Sequence, residues 1–255
     1  MVRGIATFTN YFKEFKEDYV VIGGLATAMV MNDLGFTARA TKDIDLVVIS
    51  KNNEAFIKAL LQFVQQGQYV TRQRTNNPDK HNLFRFFDSP DKEYPAQIEL
   101  FAICDENSSV YSDTTIIPIE TPEFYSYLSA ILLNTQYFQL LIEHTNEIDG
   151  LHIATALSLI PLKMHAYNNM ITTGQSDSEK HLRDVIKLAA ALSDEKAILQ
   201  GDPKEDFDVF MQAFEDVDEN RVKQVLKTSN IGSLSKKEII EVLNQTYRDE
   251  IAPIL

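Results

Sequence analysis

Residues 19–49, YVVIGGLATAMVMNDLGFTARATKDIDLVVI, constrain this chain more than any other stretch. Tyr19 to Ile22 is a short apolar run with β character, and Gly23-Gly24 breaks it. Residues 25–34, with Ala26, Ala28, Met29 and Met31, suit a mostly buried helix that ends near Gly35. Residues 43–49 are almost wholly apolar after the first few, which predicts a buried central strand. The segment therefore runs strand, Gly-Gly turn, helix, and then a strand that opens on two carboxylates.

Composition bounds the possibilities. At 255 residues, 44% hydrophobic and 24% charged, the chain has material for a sizeable core and for one large or two modest domains. No apolar run approaches the roughly 18 residues of a membrane span. The N-terminal residues mix Arg3, Lys13, Glu14, Lys16 and Glu17 with short apolar pieces, so a cytoplasmic protein without a membrane partner is expected. A single cysteine, Cys104, rules out an internal disulfide and is read as a small buried hydrophobe. The net charge of -13 opposes broad adhesion to nucleic acid. It leaves open a local basic groove, or a nucleotide whose metal ion brings its own positive charge.

The pattern along the chain is α+β (α/β). Residues 5–17 carry Ile5, Phe8, Tyr11, Phe12 and Phe15 at helical spacing, and residues 54–65 do the same with Phe56, Leu60, Leu61 and Val64. Strands are expected at residues 69–75, 83–87 and 97–103, separated by polar turns, with Ile116 to Ile119 as an edge strand or extended connection because Pro118 cannot donate to a ladder. Beyond Thr121-Pro122, a helix-start signal, the composition turns helical. The expected division is therefore residues 1–120, holding the sheet, and residues 121–255, mostly helical. Residues 123–133 are expected to be a helix. Residues 137–144 suit strand or helix; Asp149-Gly150 is a hairpin signal, which favours residues 137–143 and 151–154 as its paired strands. Residues 159–170, 179–192 and most of the tail follow as helices, with Ser235 and Glu238 forming a capping box.

Three Asp-x-Asp pairs occur, at 43/45, 206/208 and 216/218, and their context separates them. On a strand, Asp43 and Asp45 point to one face while Ile44 and Leu46 point to the other. The later pairs lie in helix-patterned sequence, where i and i+2 residues diverge, and read as solvated surface charge. Two adjacent carboxylates repel one another, and a hard divalent cation with phosphate oxygens relieves that repulsion. A third carboxylate on a neighbouring strand would complete such a site and accept a proton from an attacking hydroxyl. Glu99, in AQIELF, is the candidate; an edge strand with Glu99 in water is the alternative. Gly23-Gly24 would let backbone approach a ligand at the start of a helix, whose free N–H groups suit phosphate. His81, His144, His152 and His165 show no metal-ligand spacing, and Arg72, Arg74 and Arg85 sit on middle-section strands.

The Gly-Gly followed by RATKDIDLVV resembles the nucleotidyltransferases of the polymerase-β-like fold, specifically the AbiEii-type branch, the toxin arm of abortive-infection toxin-antitoxin systems. IPLKMHAY around Lys163 and KHLRDVIKL over residues 180–188 are similar to that branch's later helical motifs, so the likeness spans roughly residues 19–192. It implies a mixed-sheet nucleotidyltransferase domain followed by a helical region, with Mg²⁺ or Mn²⁺ as cofactor and a nucleoside triphosphate as substrate. It implies Asp43, Asp45 and Glu99 as catalytic metal ligands, and Gly23, Gly24, Arg39, Thr41, Lys163 and Asp184 as the nucleotide-binding set. Lys163 would contact phosphate and Asp184 would orient it; a surface lysine and a surface carboxylate are the alternatives. Glu99 stands where the family commonly has Asp, and His181 where its later motif has the first Asp. The acceptor implied is an RNA, such as a tRNA 3′ end, or a protein hydroxyl, with an antitoxin as possible partner. A catalytically inactive nucleotide-binding or regulatory module of the same fold is the competing expectation.

Overall fold

The computed structural model describes residues 2–73, 81–103, 116–119, 128–132, 134–174, 177–232 and 234–248. Cys104, Thr121, Pro122 and Arg74 lie outside the described residues. The chain divides into two compact units, each gathered from separate segments: residues 1–25, 40–135 and 146–153 in the first, and 26–39, 136–145 and 154–255 in the second. The sequence suggests instead a single cut after residue 120.

The elements follow in chain order: α1 (Ile5–Tyr11), β1 (Tyr19–Ile22), α2 (Gly23–Asp33), β2 (Asp43–Val48), α3 (Glu54–Gln66), β3 (Val70–Gln73), β4 (His81–Phe87), β5 (Gln97–Ala102), β6 (Ile116–Ile119) and β7 (Leu128–Leu132). Then come α4 (Thr135–Glu143), β8 (Thr145–Ile148), β9 (Leu151–Ala154), α5 (Ala156–Thr172), α6 (Glu179–Ala189), α7 (Asp202–Glu215), α8 (Glu219–Thr228) and α9 (Lys236–Tyr247). The architecture is α+β with a mixed sheet.

Strand order is β3-β4-β7-β5-β2-β1-β9-β8, with β6 on β7 and a further direct pairing of β4 with β5. β1 and β2 are antiparallel, while β2 and β5 run parallel. Alternation along β1 and β2 turns Tyr19, Ile44, Leu46 and Val48 to one face of the sheet, where all are buried. An aromatic layer covers that face. Phe8 and Phe12 lie 4.6 Å apart, Phe12 meets Phe63 at 5.2 Å, and Tyr19 stacks on Phe56 at 6.2 Å. Each such ring, fully buried, contributes about 1.5–3 kcal/mol.

Three local expectations are corrected. The helix over residues 5–17 stops at Tyr11, and a 3₁₀ segment, Lys13–Asp18, continues with non-helical geometry at Phe15. Residues 137–143 belong to helix α4 rather than a strand, because Tyr137, Phe138, Leu140 and Leu141 are buried at helical, not alternating, spacing. The Asp149-Gly150 hairpin exists, with β8 as the partner of β9, and both turn residues have positive φ (51° and 78°), as a two-residue hairpin turn requires. Where a helix is expected over residues 123–133, Leu128–Leu132 is strand β7, which pairs with β6 and β5. Sheet pairing there overrides local helical preference.

In the second unit α5 packs on α6 and α7, and α6 meets α8 and α9. The capping box at Ser235 and Glu238 forms as expected, and Asp218 caps α8. Pro161 sits inside α5 and has no N–H to give the Leu157 carbonyl four residues earlier. The Tyr247 hydroxyl donates to that carbonyl at 3.0 Å. Asp206 is not plain surface charge. Its carboxylate accepts hydrogen bonds from Tyr137 Oη (2.7 Å) and Asn168 Nδ2 (2.9 Å) and pairs with His165 Nδ1 (2.6 Å), which ties α4, α5 and α7 together.

Candidate functional site

Strand register aligns the expected carboxylates of the first unit. Asp45 is the cross-strand partner of Ile22 at the end of β1 and of Glu99 on β5, and Glu99 is in turn the partner of Arg85 on β4. In-register neighbours share a face, so Asp45, Glu99 and Arg85 form a row on the side opposite Ile44, Leu46, Ile98 and Leu100. Asp43 stands on the same face, two residues along β2. β5 is interior to the sheet, so the alternative of an edge-strand Glu99 in water does not hold; the residue is buried at 8% exposure.

The end of β1 leads directly into α2. Gly23 has φ +70°, and a Cβ there would lie 1.9 Å from Asp45 Oδ2 and 2.8 Å from its Cγ. Only glycine combines that backbone with that proximity. Gly24 is buried in the first turn of α2, and Thr41 lies in the coil just before β2.

Burial pushes the Glu99 carboxyl above its ordinary pKa, its hydrogen bonds and charge attraction with Arg85 pull the other way, and Asp43 adds to the upward push. Arg85 Nε donates to Glu99 Oε1 at 2.7 Å, and Arg85 Nη2 donates to the same oxygen. Among the described residues no three His, Cys, Asp or Glu side chains converge as a ready metal cage. The donor chemistry nevertheless suits Mg²⁺, which takes oxygen ligands and commonly uses one or two carboxylates together with substrate phosphates. Asp43 and Asp45 are both partly exposed on one face and meet that requirement, with Glu99 beside them.

The second unit carries a separate cluster. Lys163 of α5 and Asp184 of α6 are both buried, not surface charges, and Lys163 Nζ lies 3.0 Å from Asp184 Oδ2. Arg39 Nε and Nη2 approach the two oxygens of the same carboxylate at 3.3 and 3.4 Å. Burial alone would raise the Asp184 pKa, but Lys163 and Arg39 outweigh it and hold it below the carboxylate norm. Lys187, one turn along α6, is also buried, and desolvation lowers its pKa. Among the described residues His181 has both ring nitrogens buried without a hydrogen-bond partner. Burial, then Lys163 and Lys180, lower its pKa to about 4, so the ring is neutral at physiological pH. Three cations around one carboxylate make this cluster anion-seeking by charge.

The structure thus groups Gly23, Asp43, Asp45 and Glu99 in one unit, and Arg39, Lys163 and Asp184 in the other. Arg85 is the site neighbour that the sequence leaves without a role. Its signal in the sequence is a charged residue inside the aromatic run LFRFF. His152 is structural: Nδ1 lies 3.0 Å from the carbonyls of Lys16 and Tyr19.

No protein-family model matches the chain, and no curated protein does.

Proposed function

We propose that the protein is a nucleotidyltransferase of the polymerase-β-like type, resembling the AbiEii branch, which moves a nucleoside monophosphate from a triphosphate to an acceptor hydroxyl. The observation that carries this reading is the alignment of Asp45 and Glu99 on adjacent parallel strands, with Gly23 pressed against Asp45 and Asp43 on the same face. Mg²⁺ or Mn²⁺, held by Asp43 and Asp45 with Glu99, would offset the charge of the phosphates and of the leaving pyrophosphate. The acceptor oxygen bonds to the α-phosphorus, the bond from that phosphorus to the bridging oxygen breaks, and pyrophosphate departs. Glu99, buried and raised in pKa, receives the hydroxyl proton. Gly23 and Gly24 leave room for the nucleotide beside β1.

The roles of Arg39, Thr41, Lys163 and Asp184 as nucleotide contacts rest on the resemblance, supported for Arg39 and Lys163 by their charge. An RNA end or a protein hydroxyl is the acceptor in this reading, an antitoxin is its regulator, and the cytoplasm is its location. No helix among the described residues is long and apolar enough to cross a membrane. The test is transfer of label from each nucleoside triphosphate to a total RNA and protein extract with Mg²⁺. Wild type labels one macromolecular class, and Asp45→Asn, folded by circular dichroism, labels none. Undiminished transfer by Asp45→Asn overturns the proposal.

The Arg85 contact favours one second reading, a binding or regulatory module that holds nucleotide without turning it over, since Glu99 is already engaged by a cation. Calorimetric binding of a Mg²⁺-triphosphate without any transfer identifies it.

A further inference from the structure

We propose that Arg85 is a positioning residue for Glu99: by holding Oε1 it aims the other carboxylate oxygen along the sheet face toward Asp45 and lowers the negative charge against which the cation binds. The inference rests on the nucleotidyltransferase reading and assigns a residue that the family resemblance does not.

Both described contacts of the guanidinium on Glu99, from Nε and Nη2, fall on Oε1. A two-nitrogen grip on a single oxygen fixes the rotation of the carboxylate more tightly than one contact from a lysine would. The grip comes from the register partner on β4, a strand paired directly to β5, so both ends are anchored in the sheet rather than on a loop. Oε2 takes no hydrogen bond from the described residues. It is the oxygen left for a cation or for the acceptor's proton.

Charge gives the second half of the proposal. Asp43, Asp45 and Glu99 together carry three negative charges when ionised, and Arg85 cancels one of them. Without Arg85 the face attracts a divalent cation more strongly, yet the carboxylate that must accept the proton swings freely. Cation affinity and turnover should therefore move in opposite directions. A residue that merely supports the fold would lower both.

The experiment measures Mn²⁺ binding by electron paramagnetic resonance, and separately kcat and the KM for the triphosphate, in wild type, Arg85→Ala, Arg85→Lys and Asp45→Asn. Arg85→Ala should bind Mn²⁺ about five-fold more tightly, the effect of one unit charge at a partly exposed site. Its kcat should fall about 10- to 100-fold, as for a displacement of a reacting group by about an ångström, with KM little changed. Arg85→Lys keeps the charge and loses the fork, so it should bind Mn²⁺ like wild type while recovering only part of kcat. Should Arg85→Ala fail to fold, Arg85→Lys alone still decides: full wild-type kcat in that variant overturns the positioning role. Unchanged or higher kcat in a folded Arg85→Ala also overturns it. Equal Mn²⁺ binding by wild type and Asp45→Asn instead overturns the nucleotidyltransferase reading beneath it.

Discussion

Replacing Gly23 by alanine separates the cost of a backbone conformation from the cost of a displaced carboxylate. Gly23 has φ +70°, and a left-handed backbone with a side chain costs about 1–2 kcal/mol. Gly35 has φ +76° with nothing within 4 Å of an added Cβ, so Gly35→Ala carries the same backbone cost alone. At Gly23 the added Cβ lies 1.9 Å from Asp45 Oδ2, against 3.4 Å for an ordinary contact, so that oxygen must move by about 1.5 Å. Asp45 Cγ, at 2.8 Å, must shift with the oxygen, and both move together by rotation about the Asp45 Cα–Cβ bond, so the extra stability cost is small beside the backbone cost. Both variants should melt about 2–8 °C below wild type, at about 2–4 °C per kcal/mol for a chain of this size. Turnover should differ sharply. A misplacement of that size at a reacting group costs about 100-fold, so Gly23→Ala should lose about two orders of magnitude in labelled-nucleotide transfer while Gly35→Ala stays near wild type. Transfer by Gly23→Ala equal to that of Gly35→Ala would show that the contact with Asp45 has no bearing on the chemistry.

Two predictions concern the second unit. Lys163→Met leaves the buried Asp184 with Arg39 and the more distant Lys187 and should cost about 3 kcal/mol in urea denaturation; a change under 1 kcal/mol would mean that those two cations suffice. His181 titrates at about 4 in the folded protein, below its unfolded value near 6.5. The unfolded chain therefore takes up a proton first as pH falls, and stability should decline between pH 6.5 and 4 and be fully present above that window. His181→Gln should flatten this part of the urea-midpoint profile, and an unaltered slope would place the titration elsewhere.

The parts of the structure legible in the sequence are those governed by short-range periodicity. Alternation along DIDLVV and QIELF puts Asp43, Asp45 and Glu99 on predictable faces, and the Asp149-Gly150 turn announces its hairpin. What is not legible depends on partners chosen at a distance. Arg85 meets Glu99 only because β4 and β5 pair in one register, and no local pattern supplies that register. For Lys163 and Asp184 the sequence leaves a surface placement open as the alternative, because a helix does not declare which of its polar residues turns inward. Asp206 looks solvated for the same reason, until Tyr137, His165 and Asn168 supply its hydrogen bonds from two other helices. Residues 137–143 suit strand or helix locally, and it is the burial of Tyr137, Phe138, Leu140 and Leu141 that makes them helix.

The hydroxyl of Tyr247 that completes the gap left by Pro161 arrives 90 residues later in the chain. During synthesis, then, α5 leaves the ribosome with an acceptor at Leu157 that the residue four positions on, Pro161, has no N–H to satisfy. Water satisfies it until α9 has emerged. The tail beyond residue 192, which resembles nothing in the motifs, is thereby a timing element of the second unit: the gap at Pro161 closes only once α9 has been made.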